Sequence, residues 1–186
     1  RSYAASVGSI AIGTGQGHST TASGSHSVAI GLATASGAGS TALGKSHASG
    51  TDSFAAAIGT NSSTYGAQGV NSVALSSSAK ATIGYSLAHG YNAQAVAASA
   101  IALGQLSEST ANDAVAIGRS AKSSILGKIT FAAGRFAAQG DAQAGTFTLR
   151  SDTTDATAEA LTTNNATAAA TNQVILPNNS AYSFSG

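Results

Sequence analysis

Short units with two bulky residues around a small one recur along most of the chain. They have the form Ser-apolar-Ala-apolar-Gly, or close to it, and are clearest at residues 9–13, 27–31 and 40–44. Variants follow at residues 55–59, 72–76, 86–90, 100–104, 114–118 and 130–134. Because side chains alternate between the two faces of a β-strand, each unit predicts a short strand with one bulky and one small face.

The spacing of these units predicts a coil of strands. Steps of 18, 13, 15, 17, 14, 14, 14 and 16 residues separate their closing residues, so the period is about fourteen with short insertions. A weaker motif ending in Gly follows several units, as at 33–37, 46–50 and 136–140. Helical and leucine-rich solenoids need units of about 20 residues or more. The predicted fold class is therefore all-β, a parallel β-roll with two short strands per period.

The two faces of the strands have different predicted roles. A coil of two strands is too thin to hold large side chains, so we assign Ala and Ser to its interior and the bulky residues to its outside. A long apolar stripe on a soluble protein usually marks an interface, and three coils around an axis close it completely. We therefore predict a homotrimer whose core contains Ile10, Ile12, Val28, Ile30, Leu43, Ile58, Val73, Leu75, Leu87, Ile101, Leu103, Val115 and Ile117.

Composition excludes several other classes of protein. Aromatic residues make up 5% and charged residues 8% of the chain, with no Cys, Met or Trp, which does not suit a conventional globular core. No apolar run approaches the roughly 20 residues of a spanning helix, so we predict no membrane insertion by this segment. The Lys and Arg residues are scattered and the net charge is +1, so nucleic acid is not an expected partner.

The repeated unit resembles a known family. Ser27-Val28-Ala29-Ile30-Gly31 with its following Ala-x-Ala-x-Gly at 33–37 is similar to the YadA-like head repeat of trimeric autotransporter adhesins. The resemblance covers about residues 7 to 140 and implies a left-handed parallel β-roll, three rolls per head and a role in adhesion. The sequence departs from this repeat at Ser76, which replaces the closing Gly, and at His89, which replaces an apolar residue.

The sequence changes character after residue 140. We predict a β-roll over residues 1–140 and the start of a separate β-domain over 141–186, with longer strands at 146–150, 156–162, 173–177 and 181–184. The second segment resembles the start of a β-domain common in tailed-phage fibres and virion structural proteins. No helical neck follows the repeats, which favours a phage fibre over an autotransporter head.

Catalytic and metal-binding chemistry is not predicted. The four His residues do not pair with one another or with carboxylates at ligand spacing, and no acid-base pair or nucleophile elbow is present. We expect neither an enzyme nor a cofactor. His89 is an exception, since in a trimer three copies would converge on an anion, water or metal, or else pack as neutral imidazoles.

Receptor contacts are expected on the two longest insertions, between Gly13 and Ser27 and between Gly59 and Ser72, because loops vary without disturbing a stack. The candidates on them are His18, His26 and Tyr65. Three cations that follow closing Gly residues, Lys45, Arg119 and Arg135, either attract acidic glycans or keep the surface soluble.

Together these features favour a non-enzymatic, extracellular segment of a phage tail fibre that acts as a spacer or in host recognition, with a cell-surface glycan or envelope protein as partner. The alternative is the head of a trimeric adhesin on a bacterial outer surface, binding host matrix or cells. A polysaccharide-cleaving tailspike would need carboxylate pairs in the groove of a wide β-helix, and the narrow repeat lacks both.

Overall fold

The computed structural model describes residues 1–13, 19–59, 62–175 and residue 183, and within these ranges it contains nineteen short strands and no helix. The strands form two sheets. Sheet A contains β1 (Ser2–Ala4), β3 (Thr20–Ala22), β5 (Thr34–Ala35), β7 (His47–Ala48), β9 (Gly66–Ala67), β11 (Lys80–Ala81), β13 (Gln94–Ala95), β15 (Glu108–Ser109) and β17 (Lys122–Ser123). Sheet B contains β2 (Ile10–Ile12), β4 (Val28–Ile30), β6 (Thr41–Leu43), β8 (Phe54–Ala56), β10 (Val73–Leu75), β12 (Leu87–His89), β14 (Ile101–Leu103), β16 (Val115–Gly118), β18 (Ile129–Ala132) and β19 (Ala144–Thr146).

The chain winds as a parallel β-solenoid of about nine circuits, which we call rungs. Each rung adds one strand to sheet A and one to sheet B, and every strand up to β18 pairs in parallel with its equivalent in the next rung. Val28 lies beside Thr41, for example, and Ile30 beside Leu43. The all-β parallel coil predicted from the repeat is confirmed.

Alanine fills the interior of the solenoid. The middle residue of each sheet B strand points inward, as at Ala29, Ala42 and Ala74, and these side chains are fully buried. Ala35 and Ala48 oppose them from sheet A and are also fully buried. The expected interior of Ala and Ser is confirmed, and its small side chains let the two sheets lie close together.

Buried serines close one of the two bends in five successive rungs. Ser27 and Ser40, for example, donate from Oγ to the carbonyl oxygen three residues earlier, that of Gly24 or Gly37, over 2.7 Å. A later rung has Ala114 at this position, and Ser109 donates instead from sheet A to the Ala114 carbonyl over 2.8 Å. These serine hydroxyls thus have partners, which removes most of the cost of burying them.

The difference between thirteen- and fourteen-residue rungs is one residue in the bend after sheet B. Longer rungs have an additional residue there with a left-handed backbone, as at Asn92 (φ 54°) and Leu106 (φ 57°). The N–H of Asn92 donates to the Ser77 carbonyl of the preceding rung over 2.9 Å. Each added residue therefore joins the stack through its own backbone hydrogen bond.

Two of the predicted units have the wrong register. Phe54, not Ala56, lies beside Val73, so the closing position of β8 is Ala57 and not Gly59. Ile129 lies beside Val115, so β18 closes at Ala132 and not at Gly134. The prediction used Gly as the marker, whereas Ala57 itself adopts the left-handed conformation (φ 56°) that the position requires.

The parallel stack ends at Ala132, and the chain then becomes largely irregular. Residues 136–140 form a loop rather than the predicted strand. Beyond β19 the described residues have one isolated bridge, between Arg150 and Thr162, so the strands predicted over 146–150 and 156–162 are wrong. Residues 173–175 are not a strand, and most of the predicted strand at 181–184 lies outside the described residues. A division into domains at residue 140 stays a prediction.

Candidate functional site

The outer side of sheet B is an apolar surface, which we call the apolar face. It consists of two columns that run along the stack, one from the first and one from the third residue of each strand. The first column contains Ile10, Val28, Thr41, Phe54, Val73, Leu87, Ile101, Val115 and Ile129. The second contains Ile12, Ile30, Leu43, Ala56, Leu75, His89, Leu103, Ile117 and Phe131.

Large side chains on this face remain open to solvent in the single chain. Ile12 is 57% exposed, Ile30 40% and Phe131 59%. Each outward residue stands directly above its equivalent in the next rung, about 4.8 Å away. The result is a largely apolar surface along the stack that the described residues of one chain do not cover.

Twelve of the thirteen residues predicted for the trimer core lie on the apolar face, and Ile58 does not. Ile58 is fully buried within the alanine interior, and its N–H donates to Ser46 Oγ over 3.2 Å. Its place in the columns is taken by Phe54 and Ala56, which a strict thirteen-residue step from the preceding unit would have found. Ile129 and Phe131 were missed for the same reason. Contact of this face with another copy of the chain remains a prediction.

The outer side of sheet A is polar. Its central column contains Tyr3, Thr21, Thr34, His47, Gly66, Lys80, Gln94, Glu108 and Lys122. Lys122 Nζ lies 3.1 Å from Glu108 Oε2 in an exposed ion pair. The solenoid therefore has one face suited to water and one suited to burial.

A charged residue occupies the column of buried serines in the last rung. This residue, Lys128, is half-buried, and partial burial lowers the pKa of its amine from the ordinary value of 10.5. The two preceding rungs have uncharged Ala100 and Ala114 at this position, both fully buried. The last rung is thus chemically different from those inside the stack.

His89 interrupts the second column of the apolar face. Its side chain is exposed, lies between Leu75 and Leu103, and forms no hydrogen bond with other described residues. The described part of the chain contains no group of three or more His, Cys or acidic residues placed to hold a metal ion. A site at His89 would therefore require more than one copy of the chain.

The predicted receptor contacts have different surroundings. His18 lies outside the described residues. His26 is exposed in a bend with φ 56°, and its ring lies so close to Gly8 that a Cβ there would be 2.7 Å from His26 Cδ2. Tyr65 is half-buried and packs against the alanine interior. Among the described tyrosines, Tyr3 (62%), Tyr85 (67%) and Tyr91 (56%) are exposed. Receptor contact by these residues stays a prediction.

The comparison with protein families agrees with this geometry. The model of the YadA head domain repeat (2 copies) matches residues 16–32, 32–46, 84–107 and 95–121. These segments are similar to YadA head repeats. The matches fall on strands β3 to β6 and β12 to β16 of the solenoid, and such repeats form a structural, adhesin-type β-solenoid that is generally not enzymatic. No curated protein matches the chain significantly.

No helix in the part of the chain that the structure describes is long and apolar enough to cross a membrane.

Proposed function

We propose that three copies of this chain pack their apolar faces around a common axis and form a segment of an extracellular fibre. The observation that carries the proposal is the difference in polarity between the outer faces of the two sheets. Sheet B presents columns of Ile, Leu and Val, whereas sheet A presents Thr, Gln, Lys and Glu. A three-fold arrangement covers one such face per copy and leaves the polar faces in water. The similarity to adhesin-type YadA head repeats supports the same arrangement.

The fibre acts as a spacer and in host recognition on a phage tail. Support comes from the segment that follows the solenoid: residues 133–175 contain no helix where an adhesin head would be followed by a coiled-coil neck. The second candidate is the head of a bacterial trimeric adhesin, which the similarity to YadA head repeats favours. Immunogold labelling distinguishes the two, because a fibre protein is found on purified virion tails and an adhesin on the bacterial surface.

Aspartate on the apolar face tests the assembly. Ile30→Asp and Ile117→Asp each place three like charges at the interface, so the trimer should be weakened by more than about 4 kcal/mol, or roughly a thousand-fold in dissociation constant. Light scattering after size-exclusion chromatography measures this. Lys45→Ala, at an exposed residue outside the apolar face, is the control and should leave a trimer.

A trimer that forms and melts unchanged with either Asp variant would contradict the assignment of the face. A wild-type chain that is a stable, folded monomer at micromolar concentration would contradict the assembly itself.

A further inference from the structure

The last rung of the solenoid presents an end that another strand can extend. Within a parallel stack, each strand donates and accepts hydrogen bonds on both edges. The last strand of each sheet therefore has a free row of N–H and C=O groups unless something covers it, and such edges readily recruit strands from other chains. In this protein both last strands, β17 and β18, are covered by the chain that follows Ala132.

A side chain covers the edge of sheet A. Gln143 Oε1 accepts a hydrogen bond from the Lys122 N–H over 2.9 Å, and Gln143 Nε2 donates to the Lys122 carbonyl over 3.0 Å. These are the two groups of β17 that point away from β15, since Glu108 and Thr110 of the preceding rung donate to the Ala121 and Ser123 carbonyls. The Gln143 amide thus occupies the place that the peptide group of a next strand would take.

A reversed strand covers the edge of sheet B. Strand β19 pairs antiparallel with β18, with Ile129 beside Thr146 and Phe131 beside Ala144. All other strand pairs among the described residues are parallel. Because β19 runs in the opposite direction, the repeat cannot continue past it in the same geometry.

Both bends of the last rungs are bound as well. The Gly140 N–H donates to the Ser120 carbonyl over 3.2 Å, and the Leu126 N–H donates to the Thr171 carbonyl over 2.8 Å. Gln139 Nε2 donates to the Leu106 carbonyl over 2.6 Å. The segment after the solenoid therefore contacts both sheets and both bends of its end.

Asp141 orders the loop that carries Gln139 and Gln143. Its carboxylate accepts hydrogen bonds from the N–H groups of Phe136, Ala137 and Ala138 over 2.7 to 2.9 Å. Desolvation raises the pKa of Asp141, but these backbone hydrogen bonds outweigh it and hold the pKa below its ordinary value of 3.8. The loop thus keeps its charged anchor at neutral pH.

The opposite end of the described solenoid differs. Strands β1 and β2 each pair with one neighbour among the described residues, and Ile10 (48%) and Ile12 (57%) are exposed there. The β2 unit has the same alternation as β18, so it would fit in register on an uncovered β18. We infer that residues 133–146 are a cap that ends the stack and prevents a strand of a second copy from pairing with the edges of β17 and β18. This inference does not depend on trimer formation.

Full-length variants test the cap. Gln143→Ala removes the amide, and Gln143→Ala with Ala144→Pro also disrupts β19. Gln94→Ala is a matched control, because Gln94 lies outward in the same sheet in the middle of the stack. Hydrogen exchange at the Lys122 amide should become at least about five-fold faster in Gln143→Ala, as expected for the loss of one backbone hydrogen bond, and should not change in Gln94→Ala.

Sedimentation velocity and electron microscopy then measure the end-to-end association of the solenoids. The double variant should form concentration-dependent assemblies whose length is a multiple of the length of a single rod. Wild type and Gln94→Ala should not form them. If Lys122 exchanges at the wild-type rate in Gln143→Ala, the capping role of Gln143 is wrong. If the uncapped rods exchange faster but remain single, the cap does not prevent association. Should the double variant fail to fold, Gln143→Ala with Thr146→Pro, which disrupts β19 at its other end, takes its place in the association measurement.

Discussion

At the scale of residues, His89 is the one polar side chain in the second column of the apolar face. The residues around it in the two columns, Leu75, Leu87 and Leu103, carry no charge. In the proposed trimer three imidazoles would leave water together and come close to one another. Burying a polar group without a hydrogen-bond partner costs free energy.

Replacing His89 by Leu should therefore stabilise the trimer, because Leu continues the column of Leu75 and Leu103. Each buried polar group without a partner costs about 1 to 3 kcal/mol. The melting temperature of His89→Leu should therefore lie at least about 3 °C above that of the wild type. Thermal melts at one protein concentration measure the difference.

Gln94→Leu is the control, because it makes the same kind of change on the polar face of sheet A. It should leave the melting temperature close to that of the wild type. A melting temperature of His89→Leu at or below that of the wild type would show that His89 is not buried by assembly.

At the scale of elements, the sequence predicts the strands of the solenoid because each has the same local alternation and the same hydrogen-bonded neighbours. The predicted register fails at two strands, β8 and β18. At Ala57 and Ala132 the closing position is not Gly, so the predicted register slipped and Ile58 was assigned to the outside. After Ala132 the alternation still suggested strands, but a strand needs a partner edge, which local sequence does not specify.

Two glycines at equivalent closing positions should respond differently to alanine. A Cβ at Gly90 (φ 135°) would overlap the carbonyl group of Gly104 in the next rung, whereas a Cβ at Gly44 (φ 71°) meets nothing within 4 Å. Gly44→Ala should cost about 1 kcal/mol, the strain of a left-handed alanine such as native Ala57. Gly90→Ala should cost about 3 kcal/mol or more, because the rungs must also separate.

Denaturant unfolding of the two variants and wild type at one protein concentration gives the comparison. Similar losses of unfolding free energy in the two variants would mean that the rungs are farther apart at Gly90 than in the structure.

At the scale of the whole molecule, a trimeric rod presents each surface residue three times. Weak contacts to a repetitive glycan or envelope protein then gain by multivalency, commonly 10² to 10⁴-fold over one site. Of the three predicted contact residues, His26 is exposed and Tyr65 is occupied by packing, so the first insertion is the better candidate for recognition. The choice of the first insertion over the second could not be predicted from the spacing of the repeat units, because exposed and packed aromatic residues occur in insertions of similar length.

Deleting residues 14–18 tests the first insertion with little expected harm to the stack. The deletion shortens the step from Gly13 to Gly31 from 18 residues to 13, the length of the rung that follows it. Ser19 and Thr20 would then take the places that Leu32 and Ala33 have in that rung. If the insertion contacts the host, adsorption of virions that carry the shortened fibre should fall at least about ten-fold, because all three copies lose the contact together. Gln94→Ala on the outer side of sheet A is the control, and light scattering must show that both variants remain trimers. Unchanged adsorption by a correctly assembled, shortened fibre would mean that residues 14–18 do not contact the host.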